Sequence, residues 1–172
     1  AYQLPNCWQF GVLHLACVRI GAISNPLMPI FRQRELRFML EFGEAKVLVV
    51  PDRFRDFDYP SMVADIRSDL PQLEQVLVIG GRDENSFESH CLIPSSEDAD
   101  LQAAVYASRR PHADQVTQLL YTSGTTGQPK GVLHTGNTLL AAARSCIAHL
   151  NLTAEEVILM ASPLAHQTGF VY

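Results

Sequence analysis

The sequence predicts an α/β fold in which mostly parallel sheets are layered with helices. Two short apolar runs, Lys46–Val50 and Gln75–Ile79, lack the alternation of apolar and polar residues that marks a half-exposed strand. Such runs are typical of strands buried on both faces of a parallel sheet. A segment with helical periodicity precedes each run, Arg32–Phe42 before the first and Ser61–Leu70 before the second. Helices and strands that alternate at this spacing favour parallel strands joined by helices.

The first helix is expected over Asn6–Ile20, as a largely buried element. Asn6 is a suitable N-cap, and Gly21 lies just past the predicted C-terminal end. Ala22–Asn25 is then predicted to be a short strand, which Pro26 stops.

The next helix has the clearest apolar face of the chain. Within Arg32–Phe42, the residues Leu36, Met39 and Leu40 fall on one side at helical spacing, and Gly43 ends the helix. We therefore expect these three side chains to lie in the core.

Three further stretches complete the first part of the chain. Phe54–Pro60 is expected to be an aromatic loop, and Ser61 to cap the helix that follows it. Arg82–Pro111 is polar and acidic, and it is predicted to form surface loop and short helix between two subdomains.

The second part of the chain returns to an α/β pattern. Val116–Tyr121 and Val132–His134 are predicted strands on either side of a loop at Thr122–Gly131. Asn137–Leu150 is rich in alanine and is predicted to be a helix. Val157–Ala161 is predicted to be another buried strand.

Composition excludes several classes of protein. Apolar residues make up 47% of the 172 residues and charged residues 18%, which is too apolar for a disordered chain. The net charge is −5 and no basic run occurs, so nucleic acid is not an expected partner. No apolar run approaches the roughly 20 residues of a membrane span, and no signal peptide is recognisable. The low charge predicts apolar surface that would favour self-association.

The four cysteines form no C-x-x-C pair, so no zinc site is expected. Their wide spacing and apolar neighbours predict buried free thiols, which favours a reducing, cytoplasmic location. They are Cys7, Cys17, Cys91 and Cys146.

The loop at Thr122–Gly131 carries the most informative chemistry. Four hydroxyl residues, three glycines and one lysine occur within these ten positions, directly after a predicted strand. Glycines allow backbone N–H groups to approach an anion, hydroxyls add neutral donors, and Lys130 adds a point charge suited to phosphate. The loop is therefore a candidate polyphosphate cradle, although loops of this composition are also often simple turns. A Walker A loop is excluded, because Pro129 precedes the lysine and Gly131 stands where a serine or threonine would follow.

The stretch YTSGTTGQPKGVLHT at 121–135 resembles the phosphate-binding signature of adenylate-forming enzymes. This superfamily includes acyl-CoA synthetases, luciferase-like enzymes and the adenylation domains of peptide synthetases. The segments RIGAISNPLMPIFRQRELRFML, AKVLVV, VTQLLYTSGTTG and SPLAHQTGF follow the order seen in acyl-CoA synthetases. The resemblance covers essentially the whole chain and is greatest to fatty-acid or alicyclic-acid CoA ligases.

This resemblance implies a two-step ligase that uses a carboxylic acid, MgATP and CoA. The acid would attack the α-phosphate to give an acyl-adenylate and pyrophosphate, and the CoA thiol would then displace AMP. The magnesium ligands would lie outside this chain. The residues implied to hold the β- and γ-phosphates are Thr122, Ser123, Gly124, Thr125, Thr126, Gly127 and Lys130.

The resemblance implies a second set of site residues near the end of the chain. His166 would lie beside the acyl and α-phosphate sites, where it could orient the carboxylate or donate to a developing oxyanion. The alternative is a histidine that is hydrogen-bonded near a strand end. Gly169 would line the acyl pocket, where a side chain would obstruct it. Lys130 and His166 are therefore the candidate catalytic residues.

The same resemblance implies that the chain is part of the large N-terminal domain of such a synthetase. Residues 1–111 would form a portion of the first subdomain, with 82–111 as its connector. Residues 112–172 would begin the phosphate-loop subdomain. Segments for adenine, ribose and magnesium are not found, so we expect a fragment without a complete site. A phosphate-binding module without catalysis and a scaffold of the same fold are the alternatives.

Overall fold

The structure is a computed structural model that describes residues 1–93, 99–122 and 129–171. Its strands are β1 (Tyr2–Gln3), β2 (Pro26–Leu27), β3 (Val47–Pro51), β4 (Arg53–Phe54), β5 (Phe57–Asp58), β6 (Gln75–Ile79), β7 (Val116–Thr122) and β8 (Lys130–Thr135). The main sheet has four parallel strands in the order β2-β1-β3-β6, and two antiparallel pairs, β4-β5 and β7-β8, accompany it.

Helices flank these sheets and confirm the α/β class. They are α1 (Trp8–Arg19), α2 (Gln33–Phe42), α3 (Tyr59–Ile66), α4 (Phe87–Cys91), α5 (Ala99–Arg109), α6 (Gly136–Leu150) and α7 (Gln167–Val171), with a 3₁₀ turn at Arg67–Asp69.

The central strands confirm the predicted burial. β3 pairs with β6 in parallel over five residues, from Val47 opposite Gln75 to Pro51 opposite Ile79. Leu48 and Val50 are fully buried in one cluster with the predicted face of α2, and Val49 is buried in a second cluster with Leu77. The two clusters lie on opposite faces because successive side chains of a strand alternate.

Helix α1 differs from its prediction as a largely buried helix. Only Phe10 is buried, whereas Trp8 is 57% and Leu15 67% exposed. Phe10 packs edge-on against Tyr2 of the sheet, with ring centroids 4.9 Å apart. A helix that is apolar on several sides becomes buried only where neighbours cover each side, and among the described residues only the Phe10 side is covered.

Two predicted boundaries were wrong for local reasons. Helix α3 is capped by Asp58, whose Oδ1 accepts the Ser61 N–H at 2.9 Å, so Ser61 lies in the first turn and is not the cap. The strand predicted at Ala22–Asn25 is instead β2 at Pro26–Leu27. Pro26 is the first residue of β2, a position at which strands tolerate proline although it lacks an N–H.

The predicted buried strand at Val157–Ala161 is also wrong. No strand is assigned there, and Val157 and Leu159 are 98% and 91% exposed. A strand needs a partner for its backbone groups, and no described strand lies beside this segment. The apolar pattern of Val157–Ala161 predicts a strand, but it cannot provide the partner strand that would pair with it.

The cysteines are unpaired, as expected, but they are not buried. Cys91 is exposed and the other three are half-buried. No helix among the described residues has the length and apolar character required to cross a membrane.

Candidate functional site

The β7–β8 hairpin brings the two ends of the glycine- and hydroxyl-rich loop together. Thr122 is the register partner of Lys130, and Tyr121 is the partner of Gly131. Both Thr122 and Lys130 are exposed at this end of the hairpin. Residues 123–128 lie outside the described residues, so the predicted roles of Ser123, Gly124, Thr125, Thr126 and Gly127 stay predictions.

The hairpin is joined to the main sheet through its first strand. Ser24 donates its N–H to the Thr117 carbonyl at 2.9 Å and accepts the Leu119 N–H at 2.9 Å. Thr117, Gln118, Leu119 and Leu120 are buried along this strand. Lys130 thus lies on a strand whose partner, β7, is buried against the main sheet. No salt bridge within the described ranges involves its ammonium.

His166 is exposed at the start of α7. The Thr168 backbone N–H donates to its Nδ1 at 3.3 Å, and its own N–H donates to the Pro163 carbonyl at 3.0 Å. Because Nδ1 accepts a hydrogen bond, the neutral ring carries its proton on Nε2. The imidazole therefore presents an N–H donor toward solvent, as the site interpretation requires. The alternative prediction, a histidine hydrogen-bonded near a strand end, is met only in the hydrogen bond to Thr168, because His166 precedes a helix and residues 157–161 form no strand.

Gly169 is buried against the turn that precedes it. A Cβ atom at this position would lie 2.2 Å from the Pro163 carbonyl oxygen and 2.9 Å from the Ser162 oxygen. The position requires glycine because backbone approaches backbone there. This packing explains the glycine without an acyl ligand, and the predicted pocket role stays a prediction.

Asn6 organises the segment that leads to His166. Its Nδ2 donates to the Ser162 carbonyl at 2.9 Å and to the Met160 carbonyl at 3.3 Å, and its Oδ1 accepts the Leu164 N–H at 2.8 Å. The sequence predicts Asn6 as the N-cap of α1, but Cys7 holds that position. No local signal could have revealed the contact, because its partners are more than 150 residues away.

A cleft of about 650 Å³ lies between the N-terminal segment, the β2–α2 connection and the β4–β5 hairpin. Its lining includes Met28, Ile30, Arg32, Arg55 and Pro163. Neither Lys130 nor His166 belongs to the lining, so the cleft does not join the two candidate catalytic residues.

Comparison with known proteins identifies the class. The family described as AMP-binding enzyme matches residues 1–172. The chain is 38% identical over its whole length to the medium-chain fatty-acid–CoA ligase of Escherichia coli, of which it covers 30%. It is 32% identical over 95% of its length to a 2-hydroxy-7-methoxy-5-methyl-1-naphthoate–CoA ligase of Streptomyces carzinostaticus, again covering 30%.

Solved structures show the same fold. A long-chain-fatty-acid-CoA ligase from Archaeoglobus fulgidus superposes with a TM-score of 0.71 at 26% identity, over 99% of this chain and 32% of that one. Apo MatB from Rhodopseudomonas palustris gives a TM-score of 0.70 at 22% identity, over 99% of this chain and 31% of that one. The fold is therefore that of a segment of the adenylate-forming ligases. The chain belongs to the AMP-binding enzyme family, and it spans about 30% of the length of the curated relatives it matches.

Proposed function

We propose that the protein is an ATP-dependent acid–CoA ligase. In the first step, a carboxylate oxygen bonds to the α-phosphorus of ATP and pyrophosphate leaves, which gives an acyl-adenylate. In the second step, the CoA thiol loses its proton and bonds to the acyl carbon, and AMP leaves. The observation that carries the proposal is the pairing of Thr122 with Lys130 across a strand pair docked on a parallel α/β sheet.

Lys130 and Thr122 would bind the β- and γ-phosphates from the base of the loop. An exposed ammonium with no described ion-pair partner can approach phosphate oxygens, and a threonine hydroxyl adds a neutral donor beside it. The reaction separates and relocates negative charge, so fixed donors at these oxygens lower its barrier. Ser123, Gly124, Thr125, Thr126 and Gly127 would complete this site.

His166 would act on the acid and the α-phosphate. Its Nε2–H could orient the carboxylate or stabilise charge on a non-bridging oxygen, while the Thr168 N–H fixes the ring through Nδ1. Gly169 would keep the adjoining acyl pocket open.

Magnesium would accompany the triphosphate. Among the residues that the structure describes, no group of three or more histidine, cysteine, aspartate or glutamate side chains is arranged to hold a metal ion. As the resemblance implies, we propose that the magnesium ligands lie outside this chain.

The acid is proposed to be a fatty or alicyclic acid. One relative is named for medium-chain fatty acids, which supports the proposal. Another is named for an aromatic naphthoate, and aryl acids are therefore included in the assay. The free cysteines are those expected in a reducing compartment, which supports a cytoplasmic location. The alternative of a non-catalytic module is not favoured, since these relatives are named as CoA ligases.

The test is acid-dependent exchange of labelled pyrophosphate into ATP by the full-length protein. Fatty acids of increasing chain length, alicyclic acids and aryl acids are compared, and thioester formation is then measured with CoA. Exchange with at least one acid class, followed by acyl-CoA, supports the proposal. Tight ATP binding without exchange for any acid would instead favour a phosphate-binding module.

The 172-residue chain alone is expected to bind ATP weakly and to form no acyl-CoA. Its exposed apolar residues, such as Trp8 and Val157, would favour self-association of that chain. Acyl-CoA formation by the chain alone would contradict the expectation of an incomplete site. We further propose that residues 1–111 and 112–172 belong to two subdomains.

A further inference from the structure

One phenol hydroxyl joins the base of the Thr122–Lys130 hairpin to α2. Tyr121 immediately precedes Thr122 on β7, and its Oη donates to the Met39 carbonyl of α2 at 2.7 Å. The two residues are 82 positions apart in sequence. The Met39 carbonyl lies near the C-terminal end of α2, where it also accepts the Gly43 N–H at 3.0 Å.

The surroundings of this hydroxyl are closely packed. A Cβ atom at Gly43 would lie 2.9 Å from the Tyr121 Oη, 2.9 Å from the Asn25 Nδ2 and 3.0 Å from the Met39 carbonyl. Gly43 thus leaves the space in which the hydroxyl reaches the helix. Burial raises the pKa of Tyr121 to about 12, and the neighbouring Asn25 side chain acts in the opposite direction. The phenol is therefore protonated and able to donate throughout the neutral range.

Strands β7 and β8 both pack against Phe42 at the C-terminal end of α2. The Phe42 ring of α2 contacts the Tyr121 ring edge-on, with centroids 6.4 Å apart. A Cβ atom at Gly131, the register partner of Tyr121, would lie 3.2 Å from the Phe42 Cε1 and 3.0 Å from the Leu119 Cδ1. Both strands therefore contact the end of α2, one residue before Thr122 and one residue after Lys130.

The geometry points to Tyr121 as a positioning residue for the triphosphate site, acting through its bond to Met39 on the strand that ends at Thr122. This inference rests on the proposed function, because it concerns the same phosphates. Tyr121 does not touch the nucleotide. It lowers the freedom of the paired ends of the loop, so that Thr122 and Lys130 are already in place when the phosphates arrive.

The experiment compares Tyr121→Phe with Tyr106→Phe in the full-length protein. Tyr121→Phe removes only the hydroxyl and keeps the ring that packs on Phe42. Tyr106→Phe makes the same chemical change on α5, where the tyrosine ring contacts Arg19. For each variant we would measure the KM for ATP, the KM for the acid and kcat in pyrophosphate exchange. The Tm would report on folding.

We expect Tyr121→Phe to raise the KM for ATP by about three- to tenfold, the range for one lost neutral hydrogen bond, and to leave the KM for the acid within about twofold. Tyr106→Phe should change neither constant. A purely structural hydroxyl would lower Tm and leave the KM for ATP unchanged, which would overturn the inference.

Amide hydrogen exchange in the absence of nucleotide separates this inference from the proposed function. Tyr121→Phe should accelerate exchange of the Thr122 and Lys130 amides by about three- to tenfold while the Leu119 amide changes less. Unchanged exchange at both ends would overturn the inference even if Lys130→Ala impairs ATP binding. If Lys130→Ala leaves ATP binding unchanged, the proposed function itself fails, whatever the exchange rates show.

Discussion

The Oδ1 atom of Asn6 accepts the backbone N–H of Leu164 at 2.8 Å, across 158 positions of sequence. The amide nitrogen of the same side chain donates to the carbonyls of Ser162 and Met160. One residue near the start of the chain thus holds the segment that leads to His166.

Asn6→Ala is expected to release this segment. The three bonds are solvent-exposed, so we expect a loss of about 1 kcal/mol, or a Tm lower by roughly 2–4 °C. The rate of adenylation should fall by more than this loss of stability explains, because the segment that positions His166 is no longer held in place. The control is Asn137→Ala, which breaks an exposed bond to Asp114 on another part of the surface. Equal rates for the two variants would show that Asn6 has only a structural role.

Lys130→Ala is expected to raise the KM for ATP by roughly tenfold or more, since a charge-assisted contact to phosphate is worth about 1.5–3 kcal/mol. The Tm should change by less than about 1 °C, because an exposed lysine seldom supports a core. Lys46 is the other lysine of the chain and forms an exposed ion pair with Glu74 at 3.1 Å. Lys46→Ala is therefore the matched control and should leave the KM for ATP unchanged. An equal KM for both variants would argue that the loop is only a turn.

His166→Ala is expected to lower kcat for adenylation by about 100-fold if Nε2–H stabilises the developing charge. Stability should change little, since the ring is exposed and its described side-chain bond is to the neighbouring Thr168 N–H. His149→Ala removes an exposed histidine from the end of α6 and serves as the comparison. A fall in Tm with kcat preserved would favour the alternative of a merely hydrogen-bonded histidine.

Gly169→Ala is expected to destabilise the turn before α7 by about 1–3 kcal/mol, because its Cβ would overlap the Pro163 carbonyl. Gly11→Ala gives the opposite expectation. Gly11 lies within α1, and a Cβ atom there would meet no described atom within 4 Å beyond the backbone of its own helix, so alanine should stabilise the protein by about 0.5–1 kcal/mol. Denaturant unfolding measures the change in the free energy of unfolding for each variant, which should be a decrease for Gly169→Ala and an increase for Gly11→Ala. If the stability of Gly169→Ala is unchanged, close backbone packing does not explain this glycine. Lining of the acyl pocket would then be its role.

His14 is expected to make the protein less stable in mild acid. Burial lowers its pKa from 6.5, and the ring lies 2.8 Å from the Ser24 Oγ and 4.7 Å from the Phe170 ring, neither of which is charged. The unfolded chain therefore binds a proton that the folded chain does not, so stability falls as the pH drops below about 6.5 and recovers above it. The His14→Gln variant can still bond to Ser24 but does not titrate. The Tm difference between pH 7.5 and 5.5 should be smaller in this variant, and an identical difference would refute the role of His14.

Local pattern was sufficient for the centre of the fold. The strand over Gln75–Ile79 has the predicted bounds, and Leu36, Met39 and Leu40 form the predicted buried face of α2. Apolar spacing reports the period of the backbone directly, so these elements follow from neighbouring residues. The same signal failed at Val157–Ala161, because a strand exists only when a partner strand lies beside it.

The sequence by itself determined the family resemblance, the α/β class and two strands on either side of the glycine- and hydroxyl-rich loop, whereas it placed Thr122 and Lys130 in the loop and the structure pairs them at the strand ends. Tertiary structure alone decided that Asn6 holds the Met160–Leu164 segment and that Tyr121 bonds to Met39. These contacts join residues 82 to 158 positions apart, and no local propensity encodes which distant carbonyl a side chain will reach. Helix and strand propensity act over a few residues, whereas such bonds depend on how the whole chain packs.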